Sequence, residues 1–163
     1  MLKTLTQAGL ALALMATTAL AQDVTLRATA NSNENDEDYD GLVVFKNYVE
    51  QASNGTIAVE LFIGTQLCSN GAECLQGVAD GNIDIFVSTS GGTSGIFPFV
   101  QVLDLPYVMT DDRVAEAALA NGTEFVTTMQ QMVDDASGGA IKLMTIGNTG
   151  GWRNFANTQR RVE

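Results

Sequence analysis

Apolar and polar residues alternate along Val24-Thr25-Leu26-Arg27-Ala28-Thr29-Ala30, the period of a strand with one face in a core. A polar stretch, Asn31 to Asp40, follows. Leu42, Phe45, Val49 and Ala52, with Val44 and Tyr48 beside them, then recur at helical spacing, and Asn54-Gly55 ends that helix. Thr56 to Ile63 is β-branched and alternating, a second strand. Ala72, Leu75, Val78 and Ala79 predict a short helix stopping at Asp80-Gly81, and Ile83 to Val87 predicts a strand buried on both faces. Gly91, Gly92 and Gly95 make a loop running into Phe97-Pro98, and Val102 to Pro106 reads as a short extended piece. Asp111-Asp112 caps a helix through Leu119, which Asn121-Gly122 breaks. A last helix spans Thr123 to about Asp135, with Phe125, Met129 and Met132 on one side. Ala140 to Ile146 predicts a strand, Gly147 to Gly151 a turn, and Trp152 to Asn157 a final extended segment. Strands alternating with helices predict an α/β domain, a mainly parallel sheet flanked by helices.

Residues 1–21 stand apart from this pattern. Lys3 gives a short positive start, an apolar run follows from Leu10 to Leu20, and Ala19-Leu20-Ala21 has the small-x-small form of a signal-peptidase site. The run is short for a membrane span. A cleaved export signal over 1–21 is therefore expected, with Gln22 as the first mature residue and no stable membrane insertion afterwards.

Composition narrows the chemistry. The chain of 163 residues carries 8 Lys+Arg against 19 Asp+Glu, a net charge of −11, and has no histidine. Serine–histidine and cysteine–histidine nucleophiles and histidine-ligated metals are thereby excluded. The acidic balance argues against nucleic-acid partners. No cofactor is expected. Cys68 and Cys74 are the two cysteines. In an exported protein they read as a disulfide closing a short loop, stabilising by about 2 kcal/mol on chain entropy, rather than as a redox or metal pair.

Several local motifs have two readings. Asp36-x-Asp38-x-Asp40-Gly41 matches half of a calcium loop, but Asn47 stands where the bidentate glutamate belongs. The stretch reads better as acids at a helix start. Asn54-Gly55-Thr56 and Asn121-Gly122-Thr123 are glycosylation sequons at turn positions, where turn chemistry accounts for them. Ser88-Thr89-Ser90-Gly91-Gly92 follows a strand, where open α/β sheets bind ligands and glycine admits close backbone approach. Arg153 and Trp152 follow Gly150-Gly151: the guanidinium suits a ligand carboxylate or a structural salt bridge, the indole a stacking contact or a place in the core. Asp84 and Asp104 are the most interior acids and define a rival reading, a secreted enzyme using a carboxylate pair. A second rival is an exported structural or adhesion domain without ligand.

Six phrases in register go further: Ala30-Asn31 with its acidic loop, Phe62 to Leu67, Gly81 to Ile85, Ser88 to Gly92, Val102 to Tyr107, and Gly151-Trp152-Arg153-Asn154-Phe155-Ala156-Asn157. Together they resemble the DctP-type solute-binding proteins of tripartite ATP-independent periplasmic (TRAP) transporters. The resemblance implies a bacterial periplasmic protein of two α/β lobes joined by hinge strands. A small carboxylate ligand lies in the cleft and is delivered to membrane permease subunits, without enzymatic chemistry. It implies ligand contacts from Asn31, from Thr89 and Ser90, and from Arg153, while Gly91 and Trp152 are candidates on their own chemistry, close backbone approach and stacking. Residues 22–148 would form the first lobe, and 149–163 a hinge-crossing strand and the start of the second. Family members are about twice as long, so a truncated chain is expected: the second lobe, with the principal carboxylate-binding arginine in a Leu-Lys-x-Arg-Val phrase, would follow Glu163. Residues 22–163 alone are then expected to bind no organic acid at micromolar affinity.

Overall fold

A computed structural model describes residues 23–148 and 151. The expected signal peptide (1–21), Trp152, Arg153 and all but Gly151 of the expected hinge segment lie outside the described residues. The elements are β1 (Val24–Ala30), α1 (Glu37–Ala52), β2 (Ile57–Ile63), α2 (Gly71–Ala79), β3 (Ile85–Val87), α3 (Ser90–Thr93), a 3-10 helix (Pro98–Asp104), α4 (Asp112–Leu119) and α5 (Glu124–Ala136).

The three strands form one parallel sheet in the order β2-β1-β3. β1 pairs along its full length with β2, Val24 opposite Ile57 and Ala30 opposite Ile63, and its last three residues also pair with β3. That central position explains why Ala28, Thr29 and Ala30 are fully buried. Small side chains there let helices approach both faces. The Thr29 hydroxyl, buried by the same packing, donates to the Phe62 carbonyl at 2.8 Å.

Each face has its own core. Leu42 of α1 packs with Ala28, Ala30 and Val59. A second cluster joins Leu75 of α2, Phe97, Val100, Met129 and Val133 of α5, and Ile141, with Phe86 of β3 packed against it. β2 is an edge strand of the described sheet, and α1 closes its outer side. Lys46 Nζ donates to the Val59 carbonyl at 2.6 Å, while Glu50 Oε1 accepts from the Val59 amide at 3.0 Å and from Lys46 at 2.6 Å. Ser53 Oγ accepts from the Ile57 amide at 3.1 Å. The bond from Lys46 first, and then that from the Val59 amide, hold the Glu50 carboxyl below its ordinary pKa.

Most predicted elements form, and four differ in detail. Val102 to Pro106, expected to be extended, instead lies largely within the 3-10 helix. Pro98 sits at its first position, and Phe97, Val100 and Leu103 fall inward or half-inward at intervals of three, the 3-10 period. Ser90 to Thr93, expected as loop, make one helical turn capped by Thr89. β3 is half-exposed rather than buried on both faces, because only β1 flanks it among the described residues. Residues 141–148 are without regular structure, although Ile141, Leu143 and Ile146 still turn toward the second core. That stretch is anchored by side chains instead of a ladder: Gln130 Nε2 donates to the Met144 carbonyl at 3.1 Å, and Lys142 pairs with Asp134.

The acidic stretch belongs to the start of α1, where Asp36 is the N-cap and Glu37, Asp38 and Asp40 occupy the first turn. The Asp36 carboxylate accepts from the Asn33 amide at 2.9 Å and from its side chain at 2.7 Å. Burial, helped by Asp36 and Glu37, pushes the Asp38 carboxyl up. Among the described residues no group of three or more such side chains is arranged to hold a metal ion.

Candidate functional site

Because all three strands run parallel, their carboxyl ends open on one side of the sheet, the side where α/β sheets take ligands. Asn31 follows β1, Gly64 follows β2, and Ser88 and Thr89 follow β3. Of the residues singled out from the sequence, Asn31, Thr89, Ser90 and Gly91 are thus brought to the same border, while Trp152 and Arg153 lie outside the described residues.

The side chains of Asn31, Thr89 and Ser90 are already hydrogen-bonded. Asn31 Nδ2 makes long bonds to the carbonyls of Gly64 (3.4 Å) and Cys68 (3.3 Å). Its Oδ1 sits 3.4 Å from Cys74 Sγ. Cys74 is joined to Cys68 in a disulfide, with 5.2 Å between their Cα atoms, so the sulfur has no proton to donate and the approach is a packing contact. Thr89 Oγ1 accepts from the Gly92 amide at 3.1 Å, and Ser90 Oγ donates to Asp104 Oδ1 at 2.6 Å. Gly91 is exposed.

Two residues that the sequence did not single out shape the same border. The Gly64 amide lies within bonding distance of the Ala30 carbonyl (3.0 Å) and the Ser32 carbonyl (2.9 Å), tying the ends of β1 and β2 together. Gly71 opens α2 so close to α3 that a Cβ there would stand 2.0 Å from the Gly92 carbonyl oxygen. Asn70 caps α2 by accepting from the Glu73 amide at 3.0 Å, and Glu73 reaches back to the Ser69 amide at 2.9 Å. The Ser69 hydroxyl and amide lower the pKa of Glu73. Asn70-Gly71-x-Glu73 is the local signal that would have placed this helix start.

The carboxylate-pair reading fares differently. Asp84 precedes β3 and Asp104 bonds to Ser90 beyond it, at the opposite end of that strand. Asp84 Oδ2 accepts from the Arg27 amide at 2.7 Å and from its Nε at 3.1 Å, and Arg27 Nη2 donates to the Gly81 carbonyl at 2.7 Å. The Arg27 amide first, and then its guanidinium, hold the Asp84 carboxyl below its ordinary pKa despite some burial. A carboxyl so held is a charged acceptor at neutral pH, not a proton donor. A folded-state pKa below the unfolded value of about 4 gives stability that is complete above that value and lost as pH falls through the folded pKa. Asp84→Asn is therefore expected to cost about 1 kcal/mol near neutral pH, screening included, and nothing below the folded pKa. Denaturant titrations of both proteins at neutral and strongly acidic pH check this.

Two surface concavities lie elsewhere. The larger, about 510 Å³, runs along α4 past Asp111, Arg113 and Val114, and the smaller, about 190 Å³, lies between Leu75, Phe97 and Ile141. Neither includes a residue of the strand-end loops.

Against known families, residues 28–163 match the bacterial extracellular solute-binding protein family 7, DctP. The chain belongs to this family. Among curated proteins, this family 7 chain is 24% identical over 154 residues to the 2,3-diketo-L-gulonate-binding periplasmic protein YiaO of Escherichia coli K12. The match covers 93% of the chain and 44% of that protein. Among solved structures it is similar to a TRAP periplasmic solute-binding protein from Sulfurospirillum deleyianum with bound succinate, with a TM-score of 0.60, 22% identity, and coverage of 69% of this chain and 36% of the other. It is also similar to one from Roseobacter denitrificans with bound L-galactonate, with a TM-score of 0.63, 20% identity, and coverage of 72% and 38%. The parallel sheet flanked by helices is the fold shared with these proteins. The chain spans less than half the length of the relatives it matches.

Proposed function

We propose that the complete protein binds a small organic acid anion in the bacterial periplasm and delivers it to the membrane subunits of a TRAP permease, without catalytic turnover. The observation that carries this reading is the family match over residues 28–163, joined to a sheet whose strand ends converge on one border. In this reading residues 1–21 are the export signal, 22–148 are the first lobe, and 149–163 are a hinge-crossing strand and the start of the second. The ligand sits against the strand-end loops, contacted by Asn31, Thr89, Ser90 and Gly91, with Trp152 stacking and Arg153 gripping the carboxylate.

Charge accounting supports Arg153. Each basic residue among the described ones has an acid of its own: Arg27 pairs with Asp84, Lys46 with Glu50, Lys142 with Asp134, and the exposed Arg113 more loosely with Asp111 at 3.7 Å. A ligand carboxylate therefore draws its cations from the rest of the chain, Arg153 beside the principal arginine that the resemblance places in the second lobe. Closure over the ligand then follows from contacts made better in the closed state than in the open one.

The test is a thermal-shift screen of the complete protein against succinate, galactonate, glucuronate and related acids. A cognate acid at a hundred times its Kd adds about 2.7 kcal/mol, which for a protein about twice this length raises Tm by roughly 4 °C. A panel that moves Tm for none of these acids overturns the reading.

A further inference from the structure

The short loop closed by the Cys68–Cys74 disulfide is linked to all three strand-end loops. It lies buried with Ile83, ringed by Leu67, Val78 and Phe86. Ile83 leads into β3 and Phe86 lies within it, so the sulfur cluster packs directly on that strand. Through the Cys68 carbonyl and the close approach at Cys74, it meets the Asn31 side chain at the end of β1. Asn31 in turn holds the Gly64 carbonyl at the end of β2. On the far side, the bridge encloses Asn70 and Gly71, and the first turn of α2 is seated on the Gly92 backbone of the loop after β3.

The geometry points to this disulfide as a positioning element for ligand recognition: it sets the spacing between Asn31, the Gly64–Asn70 loop and the Thr89–Gly92 turn. A bridge that only resisted unfolding would need no contact with Asn31 and no seat against Gly92. Loops held in their bound arrangement before the ligand arrives lose less freedom on binding, which raises affinity. The inference rests on the proposed binding role for its effect on affinity, but not for its effect on the loops.

The test uses the complete protein with Cys68→Ala and Cys74→Ala together, at temperatures where circular dichroism shows it folded. Affinity for a cognate acid is expected to fall about tenfold, through lost preorganisation. In ligand-free protein, amide exchange is expected to rise at Gly64 and at Gly91 to Thr93 while Val126 to Val133 of α5 stay protected. A lower Tm with affinity within about twofold and unchanged exchange in those loops overturns the inference and leaves a plain stabilising cross-link. Should the intact protein bind no acid, the binding role fails, and exchange alone decides whether the bridge positions the loops. If the double variant does not fold, Asn31→Ala keeps the bridge and cuts its link to β1 together with the bond from Asn31 to Gly64. Faster exchange across residues 64–70 is then expected, and none overturns the inference.

Discussion

Arg153→Ala in the complete protein is expected to weaken binding of an organic acid anion by about thirtyfold or more, the cost of truncating one partner of a desolvated charge pair being about 2–5 kcal/mol. The four basic residues among the described ones are held by their own acids, so none replaces the lost guanidinium without abandoning a partner. Arg153→Lys is expected to recover only part of the affinity, because an ammonium cannot present two parallel donors to a carboxylate. Calorimetric titration of the variants with a cognate acid measures both effects. An alanine variant within about threefold of the parent would move the charge contact elsewhere in the chain.

The second large effect concerns stability. In most helices, exchanging glycine for alanine favours the folded state by about 0.5–1 kcal/mol. Gly71→Ala should do the opposite. Its new Cβ would lie 2.0 Å from the Gly92 oxygen and 2.7 Å from the Gly92 carbonyl carbon. Both are backbone atoms, which cannot rotate aside as a side-chain tip can. The first turn of α2 must part from α3, at a cost of about 2–3 kcal/mol on the scale of overpacked cores. Gly41→Ala in α1 is the matched control, since a Cβ there meets nothing within 4 Å. Thermal melts should move in opposite directions for the two variants, and a neutral or stabilised Gly71→Ala would disprove the close seating of α2 on α3.

The parts of this fold that were legible in the sequence are those whose period is local. β1 reads as a strand because its alternation is uninterrupted. α4 and α5 read as helices because Asp111 and Thr123 cap them where the apolar spacing begins. The 3-10 helix escaped because Val102, Leu103 and Leu105 suggest an extended run, while the inward positions are Phe97, Val100 and Leu103. The candidate site divides in the same way. That Asn31 and Thr89 share a border follows from a parallel sheet and needs no coordinates. That Asn31 Nδ2 reaches a carbonyl 37 residues away, or that Gly71 is pressed against Gly92, leaves no trace in any short window of sequence.

The polar closure of β2 by Lys46, Glu50 and Ser53 gives the sheet a direction of growth. A fibre built by strand addition needs two open borders, so that each added copy presents a fresh one. Here the amide and carbonyl of Val59 and the amide of Ile57 are already held by α1, so an incoming strand at that stretch must first displace an ion pair and a serine. Among the described residues β3 is the other border, and addition beside it ends with the strand that adds, because the opposite border of the same sheet cannot pass the template on.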